Sequence, residues 1–477
     1  MRLSGGLAAG LATLTWAGSA LTADAQSTAD SLTDQARTVL DHQAELSRLW
    51  PGYWPDGQAF ILHDRAVGAV FAGAASPSGP AFRPGPLDGA DAGFELDYPS
   101  GAPNTVVLAV TGPDSDLETL FHEQFHDFQH DAFRWRGPGG AEYLDLSLIP
   151  DLAGFAAQVE VERRVLADAL QARDDDSRRR LARTYLTLRR ERTAALTDAI
   201  DVIEAEREWG EGTAFYVGLQ ASAVVHRKPA DAVRDRLVAE LRQNLLARPG
   251  DFVTNWFRWR AYGVGGAQAW LLDALGADWR DPIEDGERLN VVLERAVGRA
   301  DHRLADNARR RYNLPGLRDA AAAALAAAPP AVSTRAGFMA LAPRRLVLEL
   351  DVPAARLGLV GTSFQSEGMA PIGEGVLALP HAAYFVATGE GARLKTAGLS
   401  VLHEAPVVIV NGGSGLFRYT VLLDDFAGLE SLTALPPGEH RLDGLELRAE
   451  GLELDVTGPV GVEVTADQIA VRPVVAP

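Results

Sequence analysis

Asn104-Thr105-Val106-Val107-Leu108-Ala109-Val110, followed a short turn later by Leu117-Glu118-Thr119-Leu120-Phe121-His122-Glu123-Gln124-Phe125-His126-Asp127-Phe128-Gln129-His130, decides how the first two thirds of the chain are read. The β-branched run 104–110 predicts a strand. Ser115 with Glu118 forms a capping box, and Leu117, Leu120, Phe121, Phe125 and Phe128 recur at helical spacing, so a capped helix follows the strand. On that helix His122, Glu123 and His126 make an HExxH pattern. Residues four apart share a helix face, so both imidazoles can serve one tetrahedral Zn²⁺. Glu123 is turned by about 100° but stays close enough to take a proton from water acidified by the metal, which is the chemistry of amide hydrolysis. His130 lies roughly 12 Å along the axis from His122, too far to join the same ion. His130 and Asp127 read as solvated helix residues, with orientation of a His ring as the alternative.

A catalytic zinc needs a third protein ligand and an open position. Glu211 is one candidate: in a helix starting near Gly210 its face also carries Ala214, Phe215, Gly218, Ser222 and Val225, and small residues permit close approach of another helix. A carboxylate on such a face needs a partner, and a metal would serve. Glu162 is the second candidate, on a helix from Asp151 to Leu170 whose apolar stripe includes it, with Glu160 at the edge. Either could instead pair with an Arg, since Arg163, Arg164 and the segment Arg178 to Arg192 are near in sequence.

HExxH followed downstream by Trp209-Gly210-Glu211-Gly212-Thr213-Ala214-Phe215-Tyr216 resembles the gluzincin zinc metallopeptidases, the aminopeptidase N and glycyl aminopeptidase relatives. The resemblance implies His122, His126 and Glu211 as zinc ligands and Glu123 as general base. Glu211 follows His126 by 85 residues, a longer gap than in the best-known members, filled largely by a charged helical insertion from Asp174 to Glu208. The Gly-x-Met-Glu-Asn segment that holds a free amino terminus in aminopeptidase N relatives has no counterpart here. An oxyanion-stabilising phenol usually completes such sites; Tyr262, beside the glycines of Gly263-Val264-Gly265-Gly266, is the expected donor and Tyr216 the alternative.

Met1-Arg2, the apolar run Gly5 to Leu21 and Ala23-Asp24-Ala25 predict a secretory signal peptide with cleavage before Gln26. The mature protein is expected in the periplasm or outside the cell, without a membrane anchor. The chain has no Cys, which excludes disulfides and thiolate ligands. A formal charge of −19 argues against nucleic acid and anionic membranes as partners, and the metallopeptidase resemblance implies a peptide or protein substrate.

A first helix is expected from Ser27 to Leu49, broken by Trp50-Pro51-Gly52-Tyr53-Trp54-Pro55, then strands at Ala59–His63, Val67–Ala72, Gly93–Tyr98 and Asn104–Val110. From Ser115 to about Arg310 the pattern is almost all helical, with breaks near Pro138, Pro229 and Pro249. Beyond the Ala-rich run 320–328 and Pro329-Pro330, the period changes to two at Leu346–Leu350, Val407–Val410, Phe417–Leu423, Leu445–Leu454 and Gly461–Val464. His403-Glu404 lacks a second His and reads as ordinary surface. The expected fold class is α+β: signal peptide 1–25, a mainly α-helical zincin-like metallopeptidase domain 26–328 with a small N-terminal sheet, a linker 329–340, and an all-β sandwich or barrel-like domain 341–477. The rival expectation is a catalytically inactive zincin-like scaffold whose β domain binds a partner or polymer.

Overall fold

The computed structural model describes residues 23–87, 94–95, 98–110, 117–136, 149–196, 198–245, 256, 259–298, 302–327, 335–353, 360–366, 370–373, 376–389, 391–405 and 414–474. The expected signal sequence (apart from Ala23–Ala25), Ser115 of the capping box, the breaks at Pro138 and Pro249, and the strand at Val407–Val410 lie outside the described residues. Contacts divide the chain into two compact units, residues 1–128 with 220–228, and 129–219 with 229–477.

The first unit opens with α1 (Ala23–Asp41) and the short α2 (Gln43–Leu46). A five-stranded sheet follows, built from β1 (Phe60–Asp64), β2 (Gly68–Ala72), β3 (Ala81–Pro84), β4 (Phe94–Glu95) and β5 (Val106–Ala109) in the order β3-β2-β1-β5-β4. β1 and β5 pair in parallel and the other neighbours antiparallel. Ile61, Ala69, Phe71 and Val107 make one small core of this sheet. β3 was not legible in the sequence, since Ala81-Phe82-Arg83-Pro84 lacks clean alternation and ends in a residue that edge strands tolerate. From β5 the chain enters α3 (Glu118–Ala132), the HExxH helix.

In the second unit α4 (Leu152–Leu170) begins at an Asp151 cap, whose side chain accepts from the Gly154 amide at 2.9 Å, and packs against α5 (Asp175–Thr193). Then come α6 (Asp198–Arg207), a π-helical turn (Glu208–Gly212), α7 (Thr213–Val225, which runs on into the first unit), α8 (Ala232–Arg242), α9 (Arg260–Ala274), α10 (Arg280–Glu284), α11 (Leu289–Val297), α12 (His302–Arg311), α13 (Leu314–Ala327) and the short α14 (Arg335–Met339). Among the described residues no helix is long and apolar enough to cross a membrane.

The β region comprises β6 (Arg344–Pro353), β7 (Gly361–Ser366), β8 (Ala370–Gly373), β9 (Val376–Gly389), β10 (Ala392–Thr396), β11 (Leu399–Glu404), β12 (Ser414–Leu423), the one-turn α15 (Glu430–Thr433), β13 (Gly438–Ala449), β14 (Leu452–Val464) and β15 (Gln468–Pro473). Strands β10-β14-β15-β6-β12-β11-β9 follow one another, and pairing of β9 with β10 closes them into a barrel. β7 and β8 add to β9, and β13 to β14. Alternate residues fill the interior, as in β14, where Leu452, Leu454, Val456, Val460, Val462 and Val464 are buried. The expected strand Leu445–Leu454 is two strands: the chain turns at Gly451, whose φ of +67° suits glycine. The α+β class and the barrel-like end of the chain are therefore as expected. His403 is not surface: it is 5 % exposed and its ring stacks on Tyr419 at 5.1 Å, because it lies two residues from the inward Val401 on β11 and so shares its face.

Candidate metal centre

The aromatic residues of the Trp50–Trp54 turn hold α3 along one side. Phe125 meets Trp50 at 5.1 Å and Tyr53 at 5.2 Å, and Phe121 meets Trp54 at 5.3 Å, all edge-on or tilted. The Tyr53 hydroxyl donates to the Phe121 carbonyl at 3.1 Å, and burial holds that phenol protonated, its pKa well above the ordinary value. Gln124 donates to the Asn104 carbonyl at 3.4 Å, tying the helix to the start of the preceding strand.

With that side fixed, His122 and His126 stand one turn apart on the helix. Their Nε2 atoms face each other at 3.0 Å, with ring centroids 4.5 Å apart and planes at 89°. Two nitrogens bound to one tetrahedral ion at 2.0–2.1 Å would lie about 3.3 Å apart, so the pair is close to the spacing that a shared zinc requires. His122 and Glu123 are buried, and His126 is half-buried.

Glu211 stands on the π turn, not at a helix start. α6, the π turn and α7 run on without a break from Asp198 to Val225. The wide turn inserts a residue into the helical ladder, and such insertions recur at functional sites. Gly210, which suggested a helix start, has open space where a Cβ would be, whereas Gly212 is the residue that must be glycine: a Cβ there would lie 2.4 Å from the Gly265 Cα. The glycines after Tyr262 therefore belong to α9 and to its contact with the π turn. They do not form a loop.

The same turn is anchored by buried charge. Glu208 accepts from Arg189 at 2.5 Å and from Gln268 at 2.9 Å, with Arg260 at 3.4 Å. Glu204, one turn earlier, meets Arg192 at 2.8 Å and Arg260 at 3.1 Å. Burial alone would raise the Glu204 pKa, but Arg192, Arg260 and Arg189 hold it down at about 2.

Each of the other sequence candidates has partners of its own. Glu162 is committed to Arg192, and Glu160 to Arg163 at 2.5 Å, so both are ion-pair partners, the reading the Arg-rich segment had left open. Burial raises the Glu160 pKa against the pull of Arg163 and Arg164. Tyr216 is buried and donates to Asp273 at 2.8 Å, a carboxylate that also accepts from Trp279 and Arg280. Tyr262 is half-buried on the first turn of α9, its ring against Phe215 at 5.8 Å and Trp259 at 5.4 Å. The His130 side chain is 90 % exposed, and Asp127 accepts from Gln124 at 3.2 Å.

Among the described residues, one group of His, Asp and Glu side chains is arranged to hold a metal ion: His122, His126 and Glu211, whose ligand atoms all lie within 4.8 Å of one another. Two neutral nitrogens and one carboxylate are a donor set that catalytic zinc takes, with a fourth position left for water or substrate. One residue with a part here was not singled out from the sequence. Gln129 donates to the Gly210 carbonyl at 3.0 Å and to the Thr213 hydroxyl at 2.7 Å. Its signal was available, since 122, 126 and 129 form an i, i+4, i+7 stripe on one helix. No family model, curated protein or solved structure matches the chain.

Proposed function

We propose that this chain is a secreted zinc-dependent metallopeptidase of the gluzincin type, acting on peptide or protein substrates in the periplasm or outside the cell. The observation that carries the reading is the grouping of His122, His126 and Glu211 within 4.8 Å, the two histidines standing on a helix that also bears Glu123 at the HExxH position. Zinc bound by these side chains supplies Lewis acidity toward water and toward a substrate carbonyl. Glu123 takes the proton from the attacking water and passes it to the departing amine; its burial next to His122 supports this role. Tyr262 donates a hydrogen bond to the oxygen of the tetrahedral intermediate. The chain's charge of −19 favours neither nucleic acid nor anionic membranes as partners.

Metal analysis of the purified protein, combined with a diverse peptide-library digest, tests this reading. The expected result is one zinc per chain, lost to a chelator together with peptide hydrolysis and regained on adding zinc. Hydrolysis that survives metal removal overturns the metal mechanism. Zinc without hydrolysis of any peptide favours the inactive scaffold.

A further inference from the structure

The π turn that carries Glu211 poses a problem of hydrogen bonding. A π turn widens the ladder, so its carbonyls are poorly served by the chain's own amides, and an unserved buried carbonyl is costly. Side chains meet these carbonyls here. The Thr213 hydroxyl lies 2.6 Å from the Trp209 carbonyl and 3.2 Å from that of Gly210. The Gln129 amide reaches the Gly210 carbonyl at 3.0 Å and the Thr213 hydroxyl at 2.7 Å, so both of its protons are used on this one turn. Gln129 is 7 % exposed, and the two groups it serves lie on either side of Glu211 in sequence.

We infer that Gln129 is a positioning residue for the third ligand: it holds the π turn open at Gly210 and so fixes where the Glu211 carboxylate stands. One helix thereby supplies two ligands, His122 and His126, and three residues further on the clamp that places the third. The other supports of the turn act on its ends, Glu208 through Arg189 and Gln268, and Gly212 through Gly265. Gln129 and the Thr213 hydroxyl it binds both meet the Gly210 carbonyl, a backbone atom of the residue preceding Glu211. Without it an α-helical ladder competes with the wide turn, and relaxing toward that ladder would rotate Glu211 by a large fraction of a turn.

The inference rests on the metal-centre reading above, and a thermodynamic cycle on the full chain separates the two. Zinc affinity is measured by chelator competition for wild type, Gln129→Met, Glu211→Ala and the double variant, with thermal unfolding of the metal-free forms. Gln129→Met should weaken zinc about 10- to 100-fold, the usual effect of losing a group that orients a ligand. In the Glu211→Ala background the same change should have no further effect on zinc, because Gln129 acts only through Glu211. A purely structural role would lower the metal-free melting temperature and leave the cycle uncoupled. If Gln129→Met does not fold, the near-isosteric Thr213→Val carries the same cycle, with an expected loss of about tenfold. A wild-type chain without zinc affinity overturns the metal-centre reading and this inference with it. Normal wild-type binding with undiminished affinity in the variant, or equal loss in both backgrounds, overturns the inference alone.

Discussion

Arg192 grips Glu162 through two bonds, Nε to Oε1 at 2.7 Å and Nη2 to Oε2 at 3.0 Å, and both side chains are buried. This pair gives Glu162 a partner other than a metal. Removing one partner of a buried ion pair costs about 3–5 kcal/mol, whereas removing a metal ligand weakens the metal by orders of magnitude. Glu162→Gln should therefore lower the denaturation midpoint with zinc affinity close to wild type. Glu211→Ala should do the opposite, keeping the fold while zinc affinity falls by orders of magnitude. Zinc competition and urea unfolding on both variants check the pair of outcomes, and the reverse pattern would move the ligand to Glu162.

What the sequence disclosed follows the range of the interactions. His122 and His126 were legible because a shared helix face depends only on a spacing of four. Glu211 was legible as a carboxylate among small residues, but the π turn under it was not, since its widened ladder depends on Gln129, Gly265 and Arg189, none of them local. Tyr216 was considered as a donor because nothing in its own segment announces Asp273, which lies 57 residues away. In the barrel, the hairpin of β13 and β14 merged into one expected strand because Glu450-Gly451 offers only a two-residue signal between apolar alternations. His403 was taken for surface because strand alternation shows which residues share a face without showing which face closes inward.

The Gly212–Gly265 contact gives a second expectation. A Cβ on residue 265 would lie 2.4 Å from the Glu208 carbonyl oxygen and 2.7 Å from the Gly212 Cα, both backbone atoms that cannot swing aside. Gly265→Ala should cost about 1–3 kcal/mol by overpacking and, by displacing the π turn, weaken zinc as well. Gly210→Ala is the control, since its Cβ would meet nothing within 4 Å. Thermal unfolding and zinc titration of the two variants should separate them clearly. Equal behaviour would mean that the helices can part at no cost.

Acid sensitivity of the barrel should trace in part to His403. Burial lowers its pKa to about 4, with Glu404 pulling weakly the other way, and neither ring nitrogen has a hydrogen-bond partner. In the unfolded chain the same group titrates near 6.5. Between these values the unfolded state binds a proton that the folded state refuses. The stabilising effect of a neutral His403 is thus complete above pH 6.5, shrinks as pH falls, and is gone by pH 4, a span of roughly 3 kcal/mol. His403→Phe keeps the ring against Tyr419 and removes the titration. Its denaturation midpoint should fall less steeply than wild type from pH 6.5 to 4, and parallel curves for the two proteins would dismiss the histidine as the source.

Glu123 tests the proposed chemistry most directly, because its role can be separated from metal binding and from folding. It is buried beside His122 yet is not one of the three side chains grouped so as to hold a metal, His122, His126 and Glu211. Glu123→Gln keeps the size and one oxygen acceptor while removing the basicity that proton transfer needs. General-base catalysis contributes about 10²–10⁴-fold, so peptide hydrolysis should fall by at least about 10². Zinc content and melting temperature should stay near wild type. The loss should appear in kcat more than in KM, since the base acts in the transition state and not in substrate binding. If zinc is lost with the variant, Glu123 belongs to the metal shell. If activity persists, another group must take the proton, and the HExxH reading of this helix loses its catalytic half.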